Sequence, residues 1–582
     1  MQARLTGGGP AGGGPHEPLG WARILALWAF YLSLMLLGLG SERALTRHEV
    51  FAAQPAREML AYGDTSAKWW LVQHFAEEPR YEKPPAMSWL IAASMRVFGE
   101  REWAVRLPAV FAGGAVVWLV AYLATRLHGP TVGVTAGAMQ ATSFYMVMQA
   151  RLAEVDIVLA AAVFGALACA AAAWVPGVAR GDSAGRGRLG WGFALLTGLS
   201  MALKGPIGPM LVLAGLVGFA GARFLAARGA DTATHPPLAG GWAVLAWGFH
   251  PLRLGAMLAV AAAWPLAAVA ADPAILSFWQ KELIARVTTG AHVGTTGGST
   301  EPWWFYTWNV PMLLLPWVLV APWAWAEVRR RGAAACGADW ALGVLLAGTV
   351  ALSLLADKHK HYVIPVLPAV TPMLAAGLLR LLHERHTAER RSYVVEVVLW
   401  LAASAAGVLA VWLAVPEPLR VGVMVAVVGL VVGAGATLLM EWRRRLRGHL
   451  VALFATAWWV IAAVNALVTP AAERFWVFRD FAASARAHLR PGARVEMVGL
   501  GMHPVAFYLP LPLGRVDRPG ETWFPGVGRW LVMSAAGLQR WGPVWAERGV
   551  ALEVVVEGLP MRSGGGREDE RLVLVRTQAK SP

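Results

Sequence analysis

Cysteine is nearly absent from this chain. Its two copies, Cys169 and Cys336, fall in an apolar run and in a loop expected on the cytoplasmic side. Neither can staple an exported domain, and no metal-ligand spacing surrounds them. Charge is scarce too: 15% of the 582 residues are charged and 57% are apolar, which excludes an ordinary water-soluble fold. What is present instead is long apolar runs, 30 Trp and a mean hydropathy of +0.50. Runs of about 20 apolar residues each suffice to cross a hydrocarbon core of about 30 Å. The formal charge of +15 sits mostly in short loops between these runs. It therefore reports membrane topology, and no nucleic-acid partner is expected.

Residues 1 to about 20 are Gly/Pro-rich and read as a disordered cytoplasmic tail. Trp21 to Gly40 is the first span, an uncleaved anchor given the many spans that follow. Further spans are expected near 104–125, 130–148, 157–175, 191–203, 207–224, 253–271, 303–324, 340–356, 361–382, 394–414, 419–440 and 449–469. With the first, they make about thirteen. Ala86–Phe98 is short for a crossing and contains Arg96, so it reads as a helix lying in the interface. With that assignment the arginine clusters at Arg180/Arg186/Arg188, Arg329–Arg331, Arg385/Arg390/Arg391 and Arg443–Arg447 all fall on the cytoplasmic side. An odd span count places residues 471–582 outside. There, β-like runs at Arg494–Val498, Trp530–Met533, Leu552–Val556 and Arg571–Val575 alternate with helical stretches near 474–488 and 536–548. This predicts a small soluble α/β domain.

The polar loop 41–103 gathers more ionisable groups than its surroundings. Helices are expected over 48–62 and 64–78, with His48-Glu49 at the start and Tyr81-Glu82-Lys83-Pro84-Pro85 at the end. Glu49 is either a functional carboxylate or an acid at a helix N-terminus, and His48 either a base or a solvated neighbour. Lys83 is a cation suited to phosphate, with Glu82 to orient it; snorkelling is the alternative. Arg151 and Asp156 open a span, where Asp156 is a cavity carboxylate or an N-cap. Lys204-Gly205-Pro206 breaks an apolar stretch, and a lysine there is costly unless paired or wetted. Lys358-His359-Lys360-His361-Tyr362 puts several cations on the side expected to be poor in positive charge. That favours an anionic ligand over a merely solvated loop. His292, in a Gly/Thr-rich outer loop, is a weaker candidate for metal or phosphate contact.

The run from an acidic residue after the first span through Arg57-Glu58-Met59-Leu60 to Glu82-Lys83-Pro84-Pro85 resembles the polyprenyl-phosphate-dependent glycosyltransferases of the C-type membrane fold (GT-C). Arg151…Asp156, Lys204-Gly205-Pro206 and Lys358…Tyr362 extend the resemblance over nearly the whole chain. It is closest to the branch of lipid A aminoarabinose transferases and protein O-mannosyltransferases. The resemblance implies a polytopic α-helical membrane protein whose transmembrane domain spans 21–470, with loop 41–103 catalytic. It implies transfer of a sugar from a polyprenyl-phosphate donor to a lipid, protein or glycan acceptor, with inversion, outside the cytoplasm. A bacterial inner membrane with a periplasmic C-terminal domain fits that reading. Glu49, Asp156 and His48 would be catalytic. Tyr81, Glu82, Lys83, Arg151, Lys204, Lys358, Tyr362 and His292 would bind donor phosphate or substrate, and a divalent metal is left open. The family has Asp where this chain has His48, so a non-catalytic homologue is one alternative. A transporter of lipid-linked sugars is the other.

Overall fold

The computed structural model describes residues 17–40, 44–176, 178–179, 183–228, 237–288, 301–355, 358–387, 406, 409, 412–413, 415–472, 478–517, 519, 523–558 and 571–580. His292, most of the expected span 394–414 and most of the expected tail lie outside them. The chain divides into two compact units. One runs to Gly38 and resumes over Pro108–Leu467; the other comprises Leu39–Leu107 and the chain from Val468.

The first unit is a helical membrane assembly. Among the described residues, seven helices are long and apolar enough to cross a membrane. They are Glu102–His128, Val155–Trp174, Ile207–Leu225, Pro251–Ala271, Lys360–His386, Leu419–Trp442 and Leu446–Ala471. Phe305–Leu313 and Trp317–Arg331 meet at 95° and add an eighth if taken as one broken span. Several expected spans are thus not simple crossings. The run 130–148 is two helices, Pro130–Thr142 and Phe144–Gln149. Ser143 between them is extended, and the Phe144 amide donates to the Leu315 carbonyl at 2.9 Å. Trp21–Leu36 and Ala338–Ser353 have 16 residues each. Pro237–Gly248 and Ala274–Thr288 are helices the hydropathy pattern did not separate.

Close helix packing in this unit rests on small residues. A Cβ on Gly218 would lie 2.1 Å from the Gly343 carbonyl oxygen, and one on Gly343 would lie 2.6 Å from that of Gly218. Lipid tails are as apolar as leucine, so backbone approach supplies the dispersion that hydrophobic burial supplies in water. Arg223 and Asp339, on the same two helices, form an ion pair at 3.2 Å.

In the second unit, Arg47–Tyr62 is a 16-residue helix. The helix expected over 64–78 is replaced by one turn, Lys68–Leu71, and a hairpin of β1 (Gln73–Phe75) and β2 (Glu78–Arg80). Ala86–Phe98 follows as a 13-residue helix. The C-terminal part is a mixed sheet of β3 (Val495–Val498), β4 (Leu513–Val516), β5 (Trp530–Ser534), β6 (Val550–Glu557) and β7 (Leu572–Ala579), ordered β4-β3-β5-β7-β6. β3 pairs in parallel with β4 and β5; β7 pairs antiparallel with β5 and β6. The four expected strands are present, and β4 is an addition. Val498, Leu531, Met533, Val573 and Val575 close a core around the buried Trp545.

Candidate active site

In the second unit, the polar loop is built around the start of helix Arg47–Tyr62. Thr46 is its N-cap: Thr46 Oγ1 accepts from the Glu49 amide at 3.3 Å, and Glu49 Oε2 accepts from the Thr46 amide at 2.9 Å. This capping box satisfies two donors that the first helical turn would otherwise leave open. The Glu49 carboxylate is also gripped by Arg106, whose Nε and Nη2 donate at 2.7 and 3.1 Å. Their side chains are 0% and 1% exposed. Arg106 Nη2 further donates to the Ala44 carbonyl at 3.2 Å. These are the contacts of a helix-terminal acid held by a buried fork, which fixes the loop's geometry. His48, one residue earlier, is exposed, with its ring edge-on to Phe51 at 5.6 Å.

The same helix mounts the hairpin. Pro55 has no N–H, so the Phe51 carbonyl lacks its usual helical donor. Arg80 Nη1 donates to it at 2.5 Å, and the Arg80 guanidinium lies 4.9 Å from the Phe51 ring centre. Arg80 Nε also lies 3.3 Å from Glu82 Oε2, so Glu82 faces back toward the hairpin. Glu58 accepts from the Ala76 and Glu77 amides at 2.7 and 3.1 Å and from Gln54 Nε2 at 2.6 Å. Burial pushes its carboxyl up to about 7, partly offset by those hydrogen bonds. Tyr81 is half-buried, and the Lys83 side chain is exposed.

In the first unit, three residues from distant parts of the sequence converge. Lys204 Nζ lies 2.5 Å from Asp156 Oδ1 and 4.4 Å from the centre of the Tyr362 ring. Asp156 sits in the first turn of Val155–Trp174, but the N-cap is Glu154. The Asp156 carboxylate therefore serves the lysine rather than the cap. Lys204 ends the helix Ser183–Lys204 at Gly205, whose φ of +69° turns the chain. Lys358 is buried and donates to the Glu301 carbonyl at 3.2 Å. Tyr306 OH donates to the His359 carbonyl at 3.1 Å, and His359 and His361 stack at 5.4 Å beside Tyr362. Arg151, also buried, donates to the Leu34 and Met35 carbonyls at 3.2 and 2.5 Å, and Asn465 Nδ2 donates to Leu34 at 3.1 Å. It thereby satisfies the open C-terminal carbonyls of helix Trp21–Leu36.

Among the described residues, no group of three His, Cys, Asp or Glu side chains is placed to hold a metal ion. The metal left open by the sequence thus has no ligand set among those residues. Arg106, Arg80 and Gln73 were not singled out from the sequence, and Tyr306 was read only as part of an interfacial aromatic run. Arg106 had a signal, a lone arginine just inside an expected span. Gln73 had none.

Residues 82–247 match a family profile described as dolichyl-phosphate-mannose-protein mannosyltransferase. An undecaprenyl phosphate-α-4-amino-4-deoxy-L-arabinose arabinosyl transferase of Edwardsiella ictaluri is 28% identical over 412 residues, 69% of this chain and 67% of that protein. Its counterpart in Pseudomonas aeruginosa is 29% identical over 461 residues, 77% of this chain and 75% of that one. The crystal structure of ArnT from Cupriavidus metallidurans bound to undecaprenyl phosphate superposes with a TM-score of 0.75 at 20% identity, covering 96% of this chain and 98% of that one. That likeness shows the fold. The chain is an integral membrane protein with the fold of ArnT, and in sequence it is similar to the mannosyltransferase profile and to the aminoarabinose transferases.

Proposed function

We propose that this protein moves 4-amino-4-deoxy-L-arabinose from undecaprenyl phosphate to a lipid acceptor of the lipid A type. The transfer takes place at the outer face of a bacterial inner membrane, with inversion at the anomeric carbon. The observation that carries the reading is the meeting of Asp156, Lys204 and Tyr362, three positions of the family pattern. The names of the relatives supply the donor sugar and its carrier.

In this reading an acceptor oxygen attacks the anomeric carbon while the bond to the carrier phosphate oxygen breaks. Undecaprenyl phosphate leaves with the bonding pair, and the acceptor proton passes to a carboxylate. Cations aimed at the leaving phosphate lower the barrier most, because negative charge grows there. Lys83, Lys204 and Lys358 are assigned that role. Without donor, Asp156 neutralises Lys204. When the phosphate arrives, Lys204 turns to it, and Asp156 is released to take the acceptor proton. Tyr81, Glu82, Tyr362 and His292 are assigned contacts with donor sugar or phosphate, and Arg151 holds the first span in place. Glu49 positions the loop rather than exchanging protons, because both its oxygens are engaged and buried. His48, exposed on the same turn, orients the acceptor.

The thirteen-span topology, the cytoplasmic tail of about 20 residues, the transmembrane domain 21–470 and the periplasmic domain 471–582 complete the proposal. Purified protein in proteoliposomes, given synthetic undecaprenyl phosphate-aminoarabinose and lipid A, should yield lipid A heavier by one aminopentose, with the anomeric configuration inverted by NMR. Donor that stays intact beside an authentic acceptor would end the proposal. Retained configuration would remove the single-displacement step.

A further inference from the structure

We infer that the hairpin β1–β2 is the mount that fixes Lys83 toward the donor phosphate, with Gln73 as its positioning residue. The inference rests on the phosphate role proposed for Lys83.

Pro84 and Pro85 carry no N–H groups, so the segment behind Lys83 cannot join a strand ladder as a donor. Its carbonyls must be held by someone else's donors. Gln73 provides them: Nε2 donates to the Lys83 carbonyl at 3.1 Å and to the Pro84 carbonyl at 2.6 Å. Gln73 is 4% exposed, so water does not compete for this amide. The backbone of Lys83 is thereby tied down while its side chain is displayed to solvent.

Gln73 is held in turn. It stands opposite Arg80 in the β1–β2 register, and Arg80 is anchored on the Phe51 carbonyl that Pro55 leaves open. The hairpin turns through Ala76 and Glu77, both at positive φ (53° and 64°), a conformation unfavourable for residues with a Cβ. The Glu58 carboxylate stabilises that turn by accepting from both amides. One helix thus secures both ends of the hairpin, and the hairpin secures Lys83. Gln73 holds the Lys83 and Pro84 carbonyls and neither Tyr81 nor Glu82, so its effect on transfer runs through Lys83.

A double-mutant cycle tests this. Donor kcat/KM is measured for the full-length protein in proteoliposomes with undecaprenyl phosphate-aminoarabinose, for wild type, Gln73→Leu, Lys83→Ala and the double variant. A displacement of about 1 Å at a reacting group can cost about 100-fold, so Gln73→Leu should lower donor kcat/KM by about 10- to 100-fold. In the Lys83→Ala background the same change should alter it by less than about 2-fold, because the group being positioned is gone. Equal losses in both backgrounds would mean Gln73 only stabilises the fold and would overturn the inference. A silent Gln73→Leu would overturn it as well. If Lys83→Ala itself transfers at the wild-type rate, the phosphate role of Lys83 fails, and the inference falls with it. Should Gln73→Leu not be recovered folded, Gln73→Glu serves the same cycle. It keeps the side chain's size but sets an acceptor oxygen against the two carbonyls.

Discussion

Lys204 and Asp156 are 2.5 Å apart with side chains only 12% and 7% exposed. At an effective dielectric of about 20, unit charges at that distance attract by about 7 kcal/mol. Most of this offsets the cost of desolvating the two ions. Lys204→Met takes the ammonium away from the buried Asp156 carboxylate and should destabilise the protein by about 3–5 kcal/mol. Asp156→Asn strands the lysine, although the Tyr362 ring at 4.4 Å returns up to about 2 kcal/mol. The double variant removes both charges and should come back to within about 1 kcal/mol of wild type. Thermal unfolding followed by tryptophan fluorescence in detergent reads this pattern. Transfer should behave differently, falling at least about 100-fold in all three variants without recovery in the double one. A double variant that regains both stability and transfer would make the pair purely structural. A Lys204→Met protein as stable as wild type would refute the buried pair itself.

Glu49→Gln should lower stability by about 3–5 kcal/mol, because Arg106 is left buried without its counter-charge; an unchanged melting temperature would contradict the geometry. His48→Asn should leave stability within about 0.5 kcal/mol and raise the acceptor KM about 10-fold, one hydrogen bond's worth, and a wild-type KM would remove His48 from acceptor contact. Glu58, an acid raised by burial from 4.5 to about 7, keeps its proton in the folded protein over a range where the unfolded chain has lost it. Its contribution is therefore most favourable below about pH 4.5 and falls by about 3 kcal/mol as pH rises to 7. His503, pushed down to about 4 by burial, acts oppositely, its stabilisation being lost as pH falls from 6.5 to 4. The test is thus the difference between Glu58→Gln and wild type, which should change by about 3 kcal/mol between pH 4.5 and 7; a constant difference would show that Glu58 does not titrate there.

The residues legible in the sequence were those that broke a pattern. Lys204 interrupts an apolar stretch and Asp156 opens one, so each demanded a partner, and the structure makes them partners of each other. The strands β3, β6 and β7 were legible because they are rich in β-branched residues, and β5 as a short apolar run led by Trp530. The hairpin was not, because its turn carries Ala76 and Glu77 at positive φ where glycine or asparagine would have signalled it. The stabilising contact comes from Glu58, some twenty residues away in the chain. Membrane helices were harder to count than to find. Hydropathy does not separate a straight crossing from one broken at Ser143 or bent by 95° after Leu313. Arg151 shows another limit: nothing in the sequence signalled its described contacts with Leu34 and Met35, which hold a helix end.

The central claim is sugar transfer from a polyprenyl-phosphate carrier, and mass spectrometry of membrane lipids tests it most directly. Lipid A and undecaprenyl-phosphate sugars are compared in cells lacking a transferase of this kind, with and without this protein, and with Asp156→Asn. The account predicts aminopentose-bearing lipid A only with the wild-type protein, and accumulation of the undecaprenyl-phosphate donor without it or with Asp156→Asn. Lipid A left unmodified in every case, while the protein carries the sugar-bearing carrier across the bilayer, would contradict it.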